Sequence, residues 1–211
     1  YTNVPDLIKD RSMVMSWDIE THPIKFTGDA PQIDRVFAPD GSPDDITTMI
    51  CTTFHWYYTN EPLLTVGFTD LPQPPRSDCL IIQVTDQTDL FKIKALLIER
   101  MAPEWVDGFN DGRYDWPFLL RRMEAYDDQK NTNLMDWFRR KSSVLPATEA
   151  NKWNIRGSAS HSIKMEAGVN IDIETWEVPN YIPIDVRVIF QQLYPKAEQS
   201  SLKFFLDKEK L

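Results

Sequence analysis

The chain has 211 residues, 42% hydrophobic and 12% aromatic, with a formal net charge of −9, which is enough apolar material for one sizeable core in a single domain. No apolar run approaches the roughly 18 to 20 residues of a membrane-spanning helix, and the N-terminus lacks the zones of a signal peptide, so an intracellular protein is expected. The acidity argues against gripping duplex DNA by its phosphates, a task for clustered Lys and Arg, but not against handling a few unpaired nucleotides with metal ions and aromatic stacking.

Met13-Val14-Met15-Ser16-Trp17 is apolar on both alternating faces apart from Ser16, the pattern of a strand buried on both sides, and it runs into Asp18-Ile19-Glu20. Residues 22 to 45 turn to Pro, Gly and Asp and read as a loop. Two β-rich runs follow, Thr47 to Tyr58 and Leu63 to Phe68, joined by Thr59-Asn60-Glu61-Pro62 as a hairpin turn, and a third spans Leu80 to Val84. Leu90, Ile93, Leu97 and Met101 mark the apolar face of a helix capped near Asp86 and ended before Pro103. Trp105 to Phe109 reads as a short strand, and Asp115 to Arg122 as the start of a helix after a tight polar turn. Ser142 to Tyr181 is polar and irregular with one hairpin arm around Val169 to Trp176, and two apolar segments, Ile184 to Tyr194 and Ser201 to Leu206, flank Pro195-Lys196-Ala197. Cys51 and Cys79 sit in apolar stretches and are expected as buried free thiols.

A strand meander followed by helix, strand and helix outlines an RNase H-like α/β domain: a mixed central sheet flanked by helices, here with a β-hairpin insertion. Function has to come from the residues. Asp18 and Glu20 share a strand face, and two acids closing an otherwise apolar strand are costly unless a cation or solvent meets them. The bland alternative is a solvated pair at a strand end. The chain contains its own control, because Asp172-Ile173-Glu174-Thr175 repeats Asp18-Ile19-Glu20-Thr21. In the second copy Val169, Ile171 and Ile173 alternate with polar residues, so its acids are expected to face water. In Phe109-Asn110-Asp111-Gly112-Arg113-Tyr114-Asp115-Trp116-Pro117, Asp115 at a helix start either caps that helix or reaches a metal on the neighbouring strand. Asn110 in the turn can hydrogen-bond a nucleotide, Phe109 packs or stacks on a base, and Tyr114 packs. Arg121-Arg122 and Arg139-Arg140-Lys141 read as solvated helix faces.

Asp18-Ile19-Glu20 resembles the first exonuclease motif of family B DNA polymerases, and Phe109 to Asp115 resembles the second, with Asn, Tyr and Asp in place. Ile182 to Arg187, Gln192 to Glu198 and Ser201 to Lys203 resemble the African swine fever virus branch of that family. The resemblance implies a proofreading 3′→5′ exonuclease domain without the polymerase active site. In it Asp18 bridges two Mg²⁺ or Mn²⁺ ions, Glu20 and Asp115 complete one each, and Phe109, Asn110 and Thr21 touch DNA. The substrate is then the single-stranded 3′ end of DNA, hydrolysed by attack of metal-bound water. The partners are the polymerase domains of the parent chain, at the site of replication in a nucleus or viral factory. The family's third motif, a Tyr and an Asp four residues apart on a late helix, is not found. Tyr181 and Asp185 match by spacing, but Pro183 between them opposes a helix. The motif is therefore expected beyond Leu211, and the isolated fragment is expected to bind metal weakly and to cleave slowly or not at all. The alternatives are a non-catalytic relic or scaffold of the same fold, or a free-standing exonuclease of the same metal-ion class. For the latter, His22, His55 and His161 stand in no suitable arrangement with a final Asp.

Overall fold

The computed structural model describes residues 11–24, 29–38, 40–59, 61–166 and 168–210. Two sequence expectations, the turn at Asn60 and part of the loop from 22 to 45, therefore lie outside the described residues.

Six strands form one mixed sheet, β1 (Met13–Pro23), β2 (Asp45–Trp56), β3 (Leu64–Thr69), β4 (Leu80–Gln83), β5 (Trp105–Gly108) and β8 (Ile182–Asp185), in the order β4-β3-β2-β1-β5-β8. The pairs β1/β2 and β2/β3 are antiparallel, and β3/β4, β1/β5 and β5/β8 are parallel. A separate two-stranded hairpin, β6 (Gly157–Glu166) with β7 (Val169–Glu177), is the insertion. The helices are α1 (Gln87–Met101), α2 (Asp115–Lys130), α3 (Leu134–Ser142), α4 (Ala147–Lys152), α5 (Val186–Leu193) and α6 (Leu202–Glu209). No helix among the described residues is long and apolar enough to cross a membrane.

The strand period sorts the central strands into two faces. Met15, Trp17 and Ile19 pair with Phe54, Thr52 and Ile50, and this face is buried against α1, α2 and α3 through Leu90, Phe91, Ile98, Trp116, Phe118, Leu120 and Phe138. The opposite face carries Ser16, Asp18 and Glu20 beside Thr53, Cys51 and Met49, all partly or fully exposed. Both cysteines are free thiols, but they are partly exposed rather than buried, because they lie on the open side of the sheet.

Helix α1 starts where expected, with the Asp86 carboxylate accepting from the Thr88 and Asp89 N–H groups at 2.8 and 3.1 Å. It ends at Ala102, in the left-handed region at φ 46°, just before Pro103. Its buried stripe differs from the sequence reading: Leu90 is in it, but Phe91, Lys94, Ala95 and Ile98 replace Ile93, Leu97 and Met101, which pack only at the core's rim. The region from 142 to 181 is also more ordered than expected, because β6 pairs with β7 along its full length.

Arg122 overturns the reading of Arg121-Arg122 as a solvated face. It is 1% exposed, its guanidinium lies 3.0 Å from the Phe118 ring centroid, and it donates to the carbonyls of Gln32, Ile33, Asp45 and Phe118 at 2.9 to 3.1 Å. Helix α2 thereby holds the segment around 32–45 against the core. A guanidinium suits this task because it presents five donors in a rigid fork.

Candidate active site

Strand β1 outruns its neighbour. Pairing of β1 with β5 ends at Ser16 and Asp107, so the β1 edge beyond Ser16 faces no strand on that side. The chain leaves β5 at Gly108, makes a six-residue turn and starts α2 at Asp115, whose carboxylate meets that open edge: Ile19 N–H donates to Asp115 Oδ1 at 3.3 Å. Asp115 is the first helical residue rather than the cap, and Tyr114 at the cap position makes no side-chain capping bond. A carboxylate there is favoured by the helix dipole while remaining free to reach across.

The Asp18 and Asp115 carboxyls interact directly, side chain to side chain. Burial first, and then the Asp18 charge, push the Asp115 carboxyl up to about 7. Asp18 is raised too, by desolvation, with its interaction with Asp115 pulling the other way. Two carboxyls this close do not both ionise readily, and the two titrate as a pair. Glu20 follows on the same strand face but is exposed, and no three His, Cys, Asp or Glu among the described residues close around one metal position. Asp18 and Asp115 therefore come together, and Glu20 lies two residues along the same strand face as Asp18.

The turn between β5 and α2 is built for one shape. A Cβ on Gly108 would lie 2.6 Å from Asp111 Cβ, so only glycine lets the chain fold back here. Asn110 takes the left-handed conformation at φ 69°. Asp111 is 1% exposed and accepts from Trp17 Nε1 at 3.2 Å, and burial, with Asp185 and Asp115 nearby, pushes its carboxyl well up toward the neutral form. Asp185 accepts from the Asn110 and Gly112 N–H groups at 3.0 and 3.3 Å and from Arg187 N–H at 2.9 Å.

Beside Asp18 opens a cleft of about 790 Å³ lined by Ser16, Asp107, Phe109, Asn110, Arg187 and Ser200, among others. Phe109 lines it while its ring packs 6.4 Å from that of Phe205. Thr21 lies on the β1 edge, its hydroxyl 2.8 Å from the Tyr114 hydroxyl, which gives Tyr114 a positioning bond besides its packing on Phe118. Asp107, which the sequence reading passed over, is a largely buried carboxyl raised by burial, with Ser16 as its hydrogen-bond partner.

The sequence pattern of the family described as DNA polymerase family B, exonuclease domain, matches residues 1–181. The chain belongs to that family. The protein named DNA polymerase beta of African swine fever virus is 32% identical over 202 residues in the Warthog/Namibia isolate and 31% identical over 206 residues in the Tick/Malawi isolate. These alignments cover 94% and 96% of the chain but 15% and 16% of the viral proteins. The chain thus spans about a sixth of the curated relatives it matches.

Asp185 and Glu174, the other acids singled out by spacing or by the repeated tetrapeptide, are occupied elsewhere. Tyr181 and Asp185 are not on one helix: Ile182–Asp185 is a strand, Tyr181 is buried with its hydroxyl donating to Trp176 O at 3.0 Å, and Asp185 caps α5. In the second Asp-Ile-Glu copy Asp172 faces water as expected, but Glu174 is pinned. It accepts from Ser158 Oγ at 2.7 Å and from Arg121 at 3.2 Å, so the hairpin arm is fastened to α2. In the other basic cluster, Arg139 and Arg140 pair with Asp136 at 2.6 and 3.2 Å, and Lys141 pairs with Glu99 at 3.0 Å.

Beneath the carboxylates lies an unexpected group. Lys94, fully buried, places Nζ 3.2 Å from the Trp17 ring centroid and 5.0 Å from that of Trp116, with no hydrogen-bond acceptor. Burial drives it well below the usual lysine range, against the pull of Asp111 and Asp115.

Proposed function

We propose that this exonuclease domain is RNase H-like and removes nucleotides from the unpaired 3′ end of DNA during replication. In this reading it serves as the proofreading unit of a family B polymerase, alongside that enzyme's polymerase domains and wherever its DNA is copied. Residues 1–211 are read as belonging to one such domain. The observation that carries the reading is the meeting of Asp18 and Asp115 across the open edge of β1. Two carboxylates from separate chain segments, both raised by burial and Asp115 also by the Asp18 charge, suit a hard divalent cation that displaces the proton between them. Asp18 would serve two Mg²⁺ or Mn²⁺ ions, with Glu20 and Asp115 on one each. Bound there, such ions supply activation of the nucleophile and neutralisation of charge at the phosphodiester.

The other residues in this reading bind and orient. The cleft of about 790 Å³ beside Asp18 is of the size that takes a small ligand such as a terminal nucleotide. Phe109 offers a ring for stacking and Asn110 a carboxamide in the cleft, and Thr21 a hydroxyl further along β1 beside Tyr114. Trp17 and Trp116, with centroids 4.5 Å apart, close the floor beneath Asp18 and Asp115 against water. With no third-motif acid recognised in the sequence beside Asp18, Glu20 and Asp115, the chain is read as binding metal weakly and hydrolysing slowly or not at all.

The test is Mn²⁺ titration by calorimetry, combined with release of nucleoside monophosphates from a 3′-labelled single strand. Weak Mn²⁺ binding and slow release, both lost in Asp18→Asn, are expected. A chain indifferent to Mn²⁺ but still binding single strands would instead be a non-catalytic scaffold of the same fold.

A further inference from the structure

Among the described residues that line the cleft, Arg187 is the one cation, and Asp18 and Asp107 line it too. Its guanidinium joins two segments to the start of α5. Nη1 donates to Asn110 Oδ1 at 2.5 Å and Nη2 donates to Ser200 Oγ at 2.9 Å, while Nε is buried without a hydrogen-bond partner. Asn110 is therefore held twice, by its backbone N–H to Asp185 and by its side-chain oxygen to Arg187, and both holds act on a residue in the left-handed conformation. Asp185 also takes the Arg187 N–H, so one carboxylate and one guanidinium lock the turn and the first residues of α5 into a single unit.

The chemistry of a guanidinium makes this lock directional. It has donors and no lone pair, so the carboxamide must turn its oxygen toward Arg187 and its NH₂ away. Asn110 then meets an incoming ligand as a donor. Phosphate, sugar and base-carbonyl oxygens are matched, and donor groups are not. The Nη2 bond to Ser200 holds the guanidinium in place and ties the segment ahead of α6 into the same cleft wall.

We infer that Arg187 is a positioning residue for the reaction proposed above: it fixes the Asn110 carboxamide in the orientation that donates to the oxygens of a single DNA strand in the cleft. The inference rests on that proposed function and adds a residue that no exonuclease motif in the sequence marks. Arg187 acts through Asn110, so removing either side chain removes the same interaction.

The experiment is a double-mutant cycle on the whole 211-residue chain, reading anisotropy of a fluorescein-labelled single-stranded oligonucleotide in Ca²⁺ buffer. Thermal unfolding confirms that each variant is folded. Arg187→Met and Asn110→Ala are each expected to weaken binding about ten-fold, and the double variant also about ten-fold rather than a hundred-fold. Arg187→Lys keeps the charge but cannot span Asn110 and Ser200 together, so it is expected to lose about five-fold or more. It also carries the test if Arg187→Met does not fold.

Full binding by Arg187→Lys would assign the residue to charge alone and overturn the inference. Losses that multiply in the double variant would overturn it too, since Arg187 would then touch the strand itself. If Asn110→Ala weakens binding and the Arg187 variants do not, the inference falls and the proposed function stands. If the unmodified chain does not bind the oligonucleotide, or Asn110→Ala binds as tightly as the unmodified chain, the reading of the cleft fails and takes this inference with it.

Discussion

Asp18-Ile19-Glu20-Thr21 and Asp172-Ile173-Glu174-Thr175 are the same four residues on two strands, and the molecule uses them for opposite ends. The first copy lies on the central strand of a six-stranded sheet, where Ile19 is buried and Asp18 looks across an open edge at the start of α2. The second lies on a two-stranded hairpin, where Ile173 abuts Gly112, Glu174 is tied to Ser158 and Arg121, and Asp172 faces solvent. Identical side chains at identical strand spacing become a carboxyl pair in one place and a structural clasp in the other. What differs is the neighbour each copy meets, and that neighbour is supplied by a distant part of the chain.

The two copies are also joined. The turn that delivers Asp115 to Asp18 is the surface on which the second copy docks, through Glu174 N–H to Gly112 O at 2.6 Å and Ile173 against Gly112. The clasp therefore supports the turn that shapes the site.

Four measurements sharpen or break this contrast. The largest effect is expected in metal binding: Asp18→Asn should weaken Mn²⁺ binding by about a hundred-fold, roughly 3 kcal/mol, while Asp172→Asn leaves it unchanged within about two-fold by calorimetry. Equal losses in both would erase the distinction between the copies. Next comes Gly112→Ala, whose Cβ would stand 2.8 Å from Ile173 Cβ. It should cost about 2 kcal/mol in urea unfolding, and Ile173→Ala should restore part of that.

A pH effect of similar or smaller size follows from Asp115. Its folded pKa of about 7 lies above the ordinary 3.8. Without divalent cations, the stability it contributes is fully present below about pH 4 and is lost as pH rises through about 7. Asp115→Asn removes that loss, so the variant should be more stable than the parent by about 1 to 2 kcal/mol at pH 8 and little different at pH 4. A parent whose stability does not fall between these values would break the carboxyl-pair description. The smallest effect belongs to the clasp: Glu174→Gln weakens an ion pair whose Arg121 partner is 39% exposed, and should cost about 0.5 kcal/mol by denaturant unfolding.

Much of this was legible from residues alone, and the misses have a common cause. The β1 strand, the Asp86 cap and the stop before Pro103 obey local rules of alternation, capping and proline chemistry. The buried face of α1 was misread because Leu90 belongs to two possible stripes at helical spacing, and Lys94 made the true one look interrupted. Its burial follows from the tryptophans on β1 and α2 that enclose it. Strand β6 was missed because Ser158, Ser160, His161 and Ser162 show little apolar alternation, and its order comes from pairing with β7. Arg122 looked solvated because its four carbonyl acceptors lie, but for Phe118, far away in sequence.

By itself the sequence determined the order of the elements, the two acidic motifs and the glycine and asparagine that the turn between them needs, because each depends on residues within a few positions of one another. Only the tertiary structure decided that Asp18 meets Asp115 while Asp172 meets water, and that Asp185 and Arg187 hydrogen-bond Asn110. Those outcomes depend on which strand ends first and which helix start fills the gap. Such contacts form only when distant segments close on one another, and local residue patterns do not encode them.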